Sequence, residues 1–243
     1  MLTPALDNSS EFYPHHYLDE VLASDLDGIR AEWRERGSAA PPQRLAALGG
    51  AYHRLRGLAE EGDDTEALHE AVADFHARIL EALGYTRRPE THLVEQTAGG
   101  DWQLPVLARL CLPSTSTPHL LCCGDGIALP APDGEREGDA GSDPLALPVR
   151  GATQGNQPLD LRWEAACDAI FAAEDRPRFV LYLAGAHILL LEAHKWAQGR
   201  FLRVDLDLAY GRKDSKAFLV AAALCSRETL LPDGEQLLHD RLE

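Results

Sequence analysis

The stretch "RFVLYLAGAHILLLEAHKWAQGRFLRVDLD", Arg178 to Asp207, constrains this chain more than any other. It contains two apolar runs, "FVLYL" and "HILLL", joined through Ala184-Gly185-Ala186. Short runs rich in β-formers, linked by a tripeptide with a central glycine, predict a β-hairpin whose turn uses the positive φ that glycine allows. "RFLRVDLDL" then alternates Phe201, Arg203 and Asp205 against Leu202, Val204 and Leu206, as a half-exposed third strand does. A sheet is thereby fixed in the last third of the chain. The second hairpin strand ends on Glu192, and Lys195 and Trp196 follow it. A carboxylate and a lysine leaving one strand together raise the question of a metal-dependent nuclease.

The remaining elements place helices before and after this sheet. "YLDEVLASDLDGIRAEWRERG" carries Leu18, Val21, Leu22, Leu26, Ile29 and Trp33 at helical spacing, with Gly37 as its stop. "RLAALGGAYHRLRGLAEEG" is a second predicted helix, and "TEALHEAVADFHARILEALGY" a third that stops at Gly84. From residue 91 the period shortens. "THLVEQ", "WQLPVLARLCL" and "HLLCCG" read as strands, with Pro105 placing the second at an edge or a strand start. Residues 124–159 are rich in Gly, Pro and acids and read as a mobile acidic loop. "LDLRWEAACDAIFAAED" and "DSKAFLVAAALCS" are further helices, the latter with Asp214 or Ser215 as N-cap. "GEQLLHDRLE" looks like a helix beginning, and the expectation is that this chain is the front part of a longer polypeptide. The expected fold is mixed α and β. A helical segment, residues 1–90, packs beside a sheet domain, residues 91–243, that carries the acidic loop.

The net charge of −16 is unevenly spread: residues 1–124 hold −9, residues 125–175 hold −8, and residues 176–243 hold +1. Nucleic-acid binders present a basic face, because neutralising phosphates supplies most of the affinity. The cations available for that lie in the last third: Arg200, Arg203, Arg212, Lys213 and Lys216. No apolar run approaches a membrane span, and the N-terminus lacks the pattern of a secretory signal. Five cysteines form no C-x-x-C pair and mostly sit in apolar runs, which predicts reduced, buried thiols in the cytoplasm.

The nuclease pattern D…E-x-K needs Glu and Lys two apart, because residues i and i+2 of a strand share a face. Glu192 and Lys195 are three apart and on a straight strand would point to opposite faces. The expectation is a solvated turn. Asp101 precedes "WQLPVLARL", and the next strand ends in Cys122-Cys123-Gly124-Asp125, with neither glutamate nor lysine. If a site were active it would use Asp101, Asp125, Glu192 and Lys195 around Mg²⁺. The histidines show no zinc spacing and read as surface or half-buried residues; no metal site is expected. Phosphate-loop, nucleophile-elbow and dinucleotide motifs are also absent.

The segment from Arg178 to Asp214, followed by "FLVAAALCSRETLLPDGEQLLHDRLE", resembles the N-terminal region of large bacterial adenine-N6 DNA methyltransferases. These are enzymes of the type IIG restriction-modification kind, with relatives in phage-defence clusters such as DISARM and BREX. "EFYPHHYLDEVL" is similar to the opening of such chains. The resemblance implies a degenerate restriction-endonuclease-like fold. It also implies a downstream domain that binds S-adenosylmethionine, since the N-P-P-[YF] methylase signature is absent here. The expected function is a non-catalytic N-terminal domain that positions DNA or docks a defence-system subunit, with no cofactor of its own. Two alternatives stand beside it: an acidic protein-interaction module, and a Mg²⁺-dependent endonuclease with a rearranged site.

Overall fold

The computed structural model describes residues 3–61, 65–96, 100–113, 115–129, 143–231 and 239–240, and of Asp125 the backbone alone. The strands are β1 (Leu6–Ser9), β2 (Glu90–Val94), β3 (Trp102–Val106), β4 (Ala108–Cys111), β5 (Pro118–Gly126), β6 (Thr153–Gln154), β7 (Gln157–Pro158), β8 (Phe179–Ala184), β9 (His187–Glu192) and β10 (Phe201–Asp205). The helices are α1 (Leu22–Asp25), α2 (Asp27–Arg36), α3 (Pro41–Ala47), α4 (Gly49–Glu61), α5 (Thr65–Ala82), α6 (Trp163–Ala172), α7 (Ala193–Trp196), α8 (Leu206–Gly211), α9 (Ser215–Cys225) and α10 (Arg227–Leu230). The fold is mixed α and β, as the sequence predicts. A six-stranded sheet runs in the order β1-β10-β9-β8-β5-β4, and a four-stranded sheet in the order β2-β3-β6-β7. Among the described residues only β5 and β8 pair in parallel; every other neighbouring pair is antiparallel.

The hairpin β8–β9 lies at the centre of the large sheet, and both of its faces are covered. Phe179, Leu181, Leu183, Ile188 and Leu190 belong to one core, with the helices of the N-terminal segment and α9. Val180, Tyr182, Ala184, Leu189 and Leu191 belong to a second core on the other face, with α6 and the small sheet. That explains why these strands are apolar without alternation: a strand buried on both sides has no polar face to keep. Cys122 and Cys123 follow the same pleat and fall in opposite cores, so their thiols point apart. Burial pushes both thiols well above the ordinary cysteine range and raises Cys225 to about 12, so none of the three is a thiolate at neutral pH.

The structure departs from the sequence reading in four places. Leu6–Ser9 is not helical but forms the edge strand β1, pairing with β10 in the register Leu6↔Val204 to Ser9↔Phe201. The helix expected from Tyr17 to Arg36 breaks at Leu26 into α1 and α2. "WQLPVLARLCL" is two strands, β3 and β4, in different sheets. The chain changes sheets at Leu107, whose N–H donates to the Cys122 carbonyl at 2.7 Å. The expected loop 124–159 is structured where it is described. Gly124–Gly126 complete β5, Pro144–Ala146 form a 3-10 turn, and β6 and β7 form a short hairpin; the rest of the acidic run, 130–142, lies outside the described residues. The predicted helix start at residues 234–243 also lies outside them, except for His239 and Asp240.

Candidate functional site

Glu192 ends β9 opposite Phe179, the first residue of β8. Arg178 therefore stands beside Glu192 across the hairpin, and the Arg178 carbonyl accepts from the Ala193 N–H at 2.9 Å. At this point the chain leaves the extended conformation and makes the single helical turn α7. The turn corrects the strand-based expectation. Residues three apart meet on a helical turn, although a strand holds them on opposite faces. Lys195 Nζ accordingly sits 2.8 Å from Glu192 Oε2.

The expected solvated turn is likewise overturned. The Glu192 side chain is only 1% exposed and that of Lys195 13%. The other Glu192 oxygen accepts from Arg178 Nε at 3.1 Å, and Arg178 Nη1 donates to Asp240 Oδ1 at 2.5 Å. The Lys195 ammonium lies 4.5 Å from the Phe12 ring centroid and 4.8 Å from that of Tyr13, within cation–π range. Tyr13 also hydrogen-bonds His239 through its hydroxyl and the imidazole Nδ1. Two carboxylates, two cations, a tyrosine and a histidine thus join the N-terminal segment, the centre of the sheet and residues 239–240. Sequence reasoning found Glu192 and Lys195 here. Arg178, Tyr13, His239 and Asp240 carry no spacing that signals them.

Protonation follows from burial. It pushes the Tyr13 phenol well above its usual value, with the Glu192 charge adding to the effect, so Tyr13 keeps its proton. Burial first, then the nearby Lys195 and Arg178 charges, lowers His239 to about 3. The folded imidazole is therefore neutral where the unfolded one, with an ordinary value near 6.5, takes up a proton. Stability is full above about pH 6.5 and falls as pH drops from there toward about 3, by about 1.4 kcal/mol per pH unit for this group. His92 and His119 are also lowered, chiefly by burial, and act in the same direction. Urea unfolding at about pH 7.5 and about pH 5.5 reads this loss. His239→Gln is expected to flatten the slope; an unchanged slope would refute the assignment.

The four residues of the nuclease alternative do not converge. Asp125 lies on β5 between the Cys123↔Tyr182 and Gly126↔Ala184 pairs, at the far end of β8 from Phe179 and Glu192. Five residues of strand, about 16 Å, separate the two levels. Asp101 is exposed at the start of β3, where its Oδ1 accepts from the Gln96 N–H at 3.4 Å. Both Glu192 oxygens already face cations, which a metal ion would have to displace. Among the described residues no three His, Cys, Asp or Glu side chains form a group that could hold a metal. His76 is fully buried, beyond the half-buried state expected of it, and packs near Gly124.

The five expected DNA-binding cations divide. Arg203 is paired with Asp7 at 2.8 Å across the β1–β10 edge, and Arg200 is half-buried just before β10. Arg212, Lys213 and Lys216 are exposed and line one open pocket of about 460 Å³. Lys213 holds a left-handed conformation, φ +50°, at the corner between α8 and α9. Asp214 is the N-cap of α9, accepting from the Lys216 and Ala217 N–H groups at 3.0 and 3.1 Å.

No protein-family model, no curated protein and no solved structure matches this chain. Among the described residues no helix is long and apolar enough to cross a membrane.

Proposed function

We propose that this chain is a non-catalytic N-terminal domain of a DNA restriction-modification or phage-defence methyltransferase, which holds DNA or a partner subunit. One observation carries the reading. The carboxylate and lysine that a nuclease would expose are buried and consumed by internal ion pairs, while Arg212, Lys213 and Lys216 gather on an exposed corner. Glu192 and Lys195 are in this reading structural. Methylation and S-adenosylmethionine belong to a downstream domain, and the protein works in the cytoplasm, where its unpaired cysteines stay reduced.

Duplex DNA binding across a salt series tests this, with Mg²⁺ present. Binding that weakens with salt is expected, and the log–log slope should fall by roughly 2–3 in an Arg212→Gln, Lys213→Gln, Lys216→Gln variant, about one per lost phosphate contact. The DNA should remain uncut. Mg²⁺-dependent cleavage by the parent chain, abolished in an Asp101→Ala variant that stays folded, would revive the endonuclease. Absence of binding even at low salt would favour the acidic interaction module, to which the net charge of −16 points.

A further inference from the structure

Three arginines far apart in the sequence meet at one hollow. Arg88, Arg109 and Arg227 line a pocket of about 370 Å³ between the loop after α5, the strand β4 and the start of α10. Each is anchored through its backbone. The Arg88 N–H donates to the Leu107 carbonyl at 2.8 Å, and the Arg227 N–H to the Leu83 carbonyl at 2.9 Å. Arg109 is held in β4 opposite Leu121. Gly84, with φ +88°, turns the chain here; a Cβ at that position would stand 3.6 Å from the Arg227 Cβ.

The charge balance of the pocket is what singles it out. In a chain of net charge −16, the described lining of this pocket contains three guanidinium groups and no carboxylate. Glu228, the acid next to Arg227, is turned away: it accepts from Trp33 Nε1 at 2.6 Å and from Arg36 at 2.8 Å. Arg109 gives one N–H to the Ser116 carbonyl at 3.0 Å, which leaves most of its five donors for something else. Like charges gathered around a concavity repel one another and favour an anion between them. Planar guanidinium forks match the paired oxygens of a phosphate better than a lysine does.

We infer that Arg88, Arg109 and Arg227 form a phosphate-binding site. It is separate from the Arg212–Lys216 corner, which follows β10: β4 closes one edge of the large sheet, and β1, beside β10, closes the other. The phosphate could belong to a nucleic-acid backbone or to a small phosphorylated molecule. The site itself is independent of the DNA-positioning reading.

Titration of the full chain with inorganic phosphate, followed by calorimetry or ³¹P line width, tests the inference. Saturable binding at one site is expected. Arg88→Gln and Arg227→Gln should each weaken it about tenfold or more, the loss of a charged hydrogen-bonding pair. All three side chains are exposed, so melting temperatures should hold. Arg227→Lys keeps the charge without the fork and should fall between the parent and Arg227→Gln. Absence of saturable binding, or full affinity in a folded Arg88→Gln, Arg227→Gln double variant, overturns the site. A short DNA duplex separates the sources. Duplex affinity lost with phosphate affinity in the double variant assigns the site to a nucleic-acid backbone. Duplex affinity kept while phosphate affinity is lost assigns it to a small phosphorylated ligand.

Discussion

Gly185→Ala is expected to lower the stability of the fold by roughly 3–5 kcal/mol, combining a strained φ with an overpacked contact. Gly185 is the first turn residue of the central hairpin, with φ +51°, and a Cβ there would lie 2.2 Å from the Ala128 carbonyl oxygen. The obstacle is backbone, so no rotamer change relieves it. That backbone is itself fixed: the Gly185 N–H donates to the Gly126 carbonyl at 2.7 Å, and the Ala186 N–H to the Ala128 carbonyl at 3.0 Å. Gly199→Ala is the control. Gly199 has φ +66° but open space around its Cβ position, so only the conformational cost of about 1–2 kcal/mol applies. Denaturant unfolding of both variants measures the difference. Equal losses would show that the Ala128 contact yields easily and that the turn is less constrained than its geometry implies.

Glu192→Ala is the second large effect, with an expected loss of roughly 3–5 kcal/mol. Removing the carboxylate leaves the Lys195 ammonium buried beside Phe12 and Tyr13 without an anion, and takes one of the two acids from Arg178. Glu192→Leu combined with Lys195→Met removes both charges while keeping volume, and Arg178 retains Asp240. This double variant should recover most of the loss, because a buried pair gives little net stability over an apolar replacement. A Glu192→Ala cost under about 1 kcal/mol would mean that Lys195 reaches water in solution, as exposed pairs do.

The hairpin, β10 and the Asp214 cap were legible because each is a local pattern: two apolar runs around a glycine, a strict alternation, an aspartate before an apolar helix. What escaped is set by partners distant in sequence. "LDNS" has no alternation long enough to announce a strand, and it becomes β1 only because β10 offers an edge. The sheet change at Leu107 falls inside a continuous apolar run, where no polar residue marks the break. The burial of Glu192 was hidden for the same reason. Its neighbours in sequence are a strand end and a histidine-lysine pair, but its surroundings include Phe12, Tyr13 and residues 239–240. Arg88, Arg109 and Arg227 stand in unremarkable contexts until the fold gathers them.

The pairing of β1 with β10 also bears on how the chain assembles as it is made. Asp7 pairs with Arg203 across 196 positions, Trp33 with Glu228 across 195, and Tyr13 with His239 across 226. At about 5–20 residues per second, residues 7–33 wait roughly 10–40 s on the ribosome before those partners are synthesised. Over that interval Phe12, Tyr13, Leu18, Leu22 and Trp33, all buried in the finished fold, have no complete core to enter. Residues 7–33 complete their packing only after residues 203–239 are made, so their apolar side chains have to be kept from aggregation over that interval.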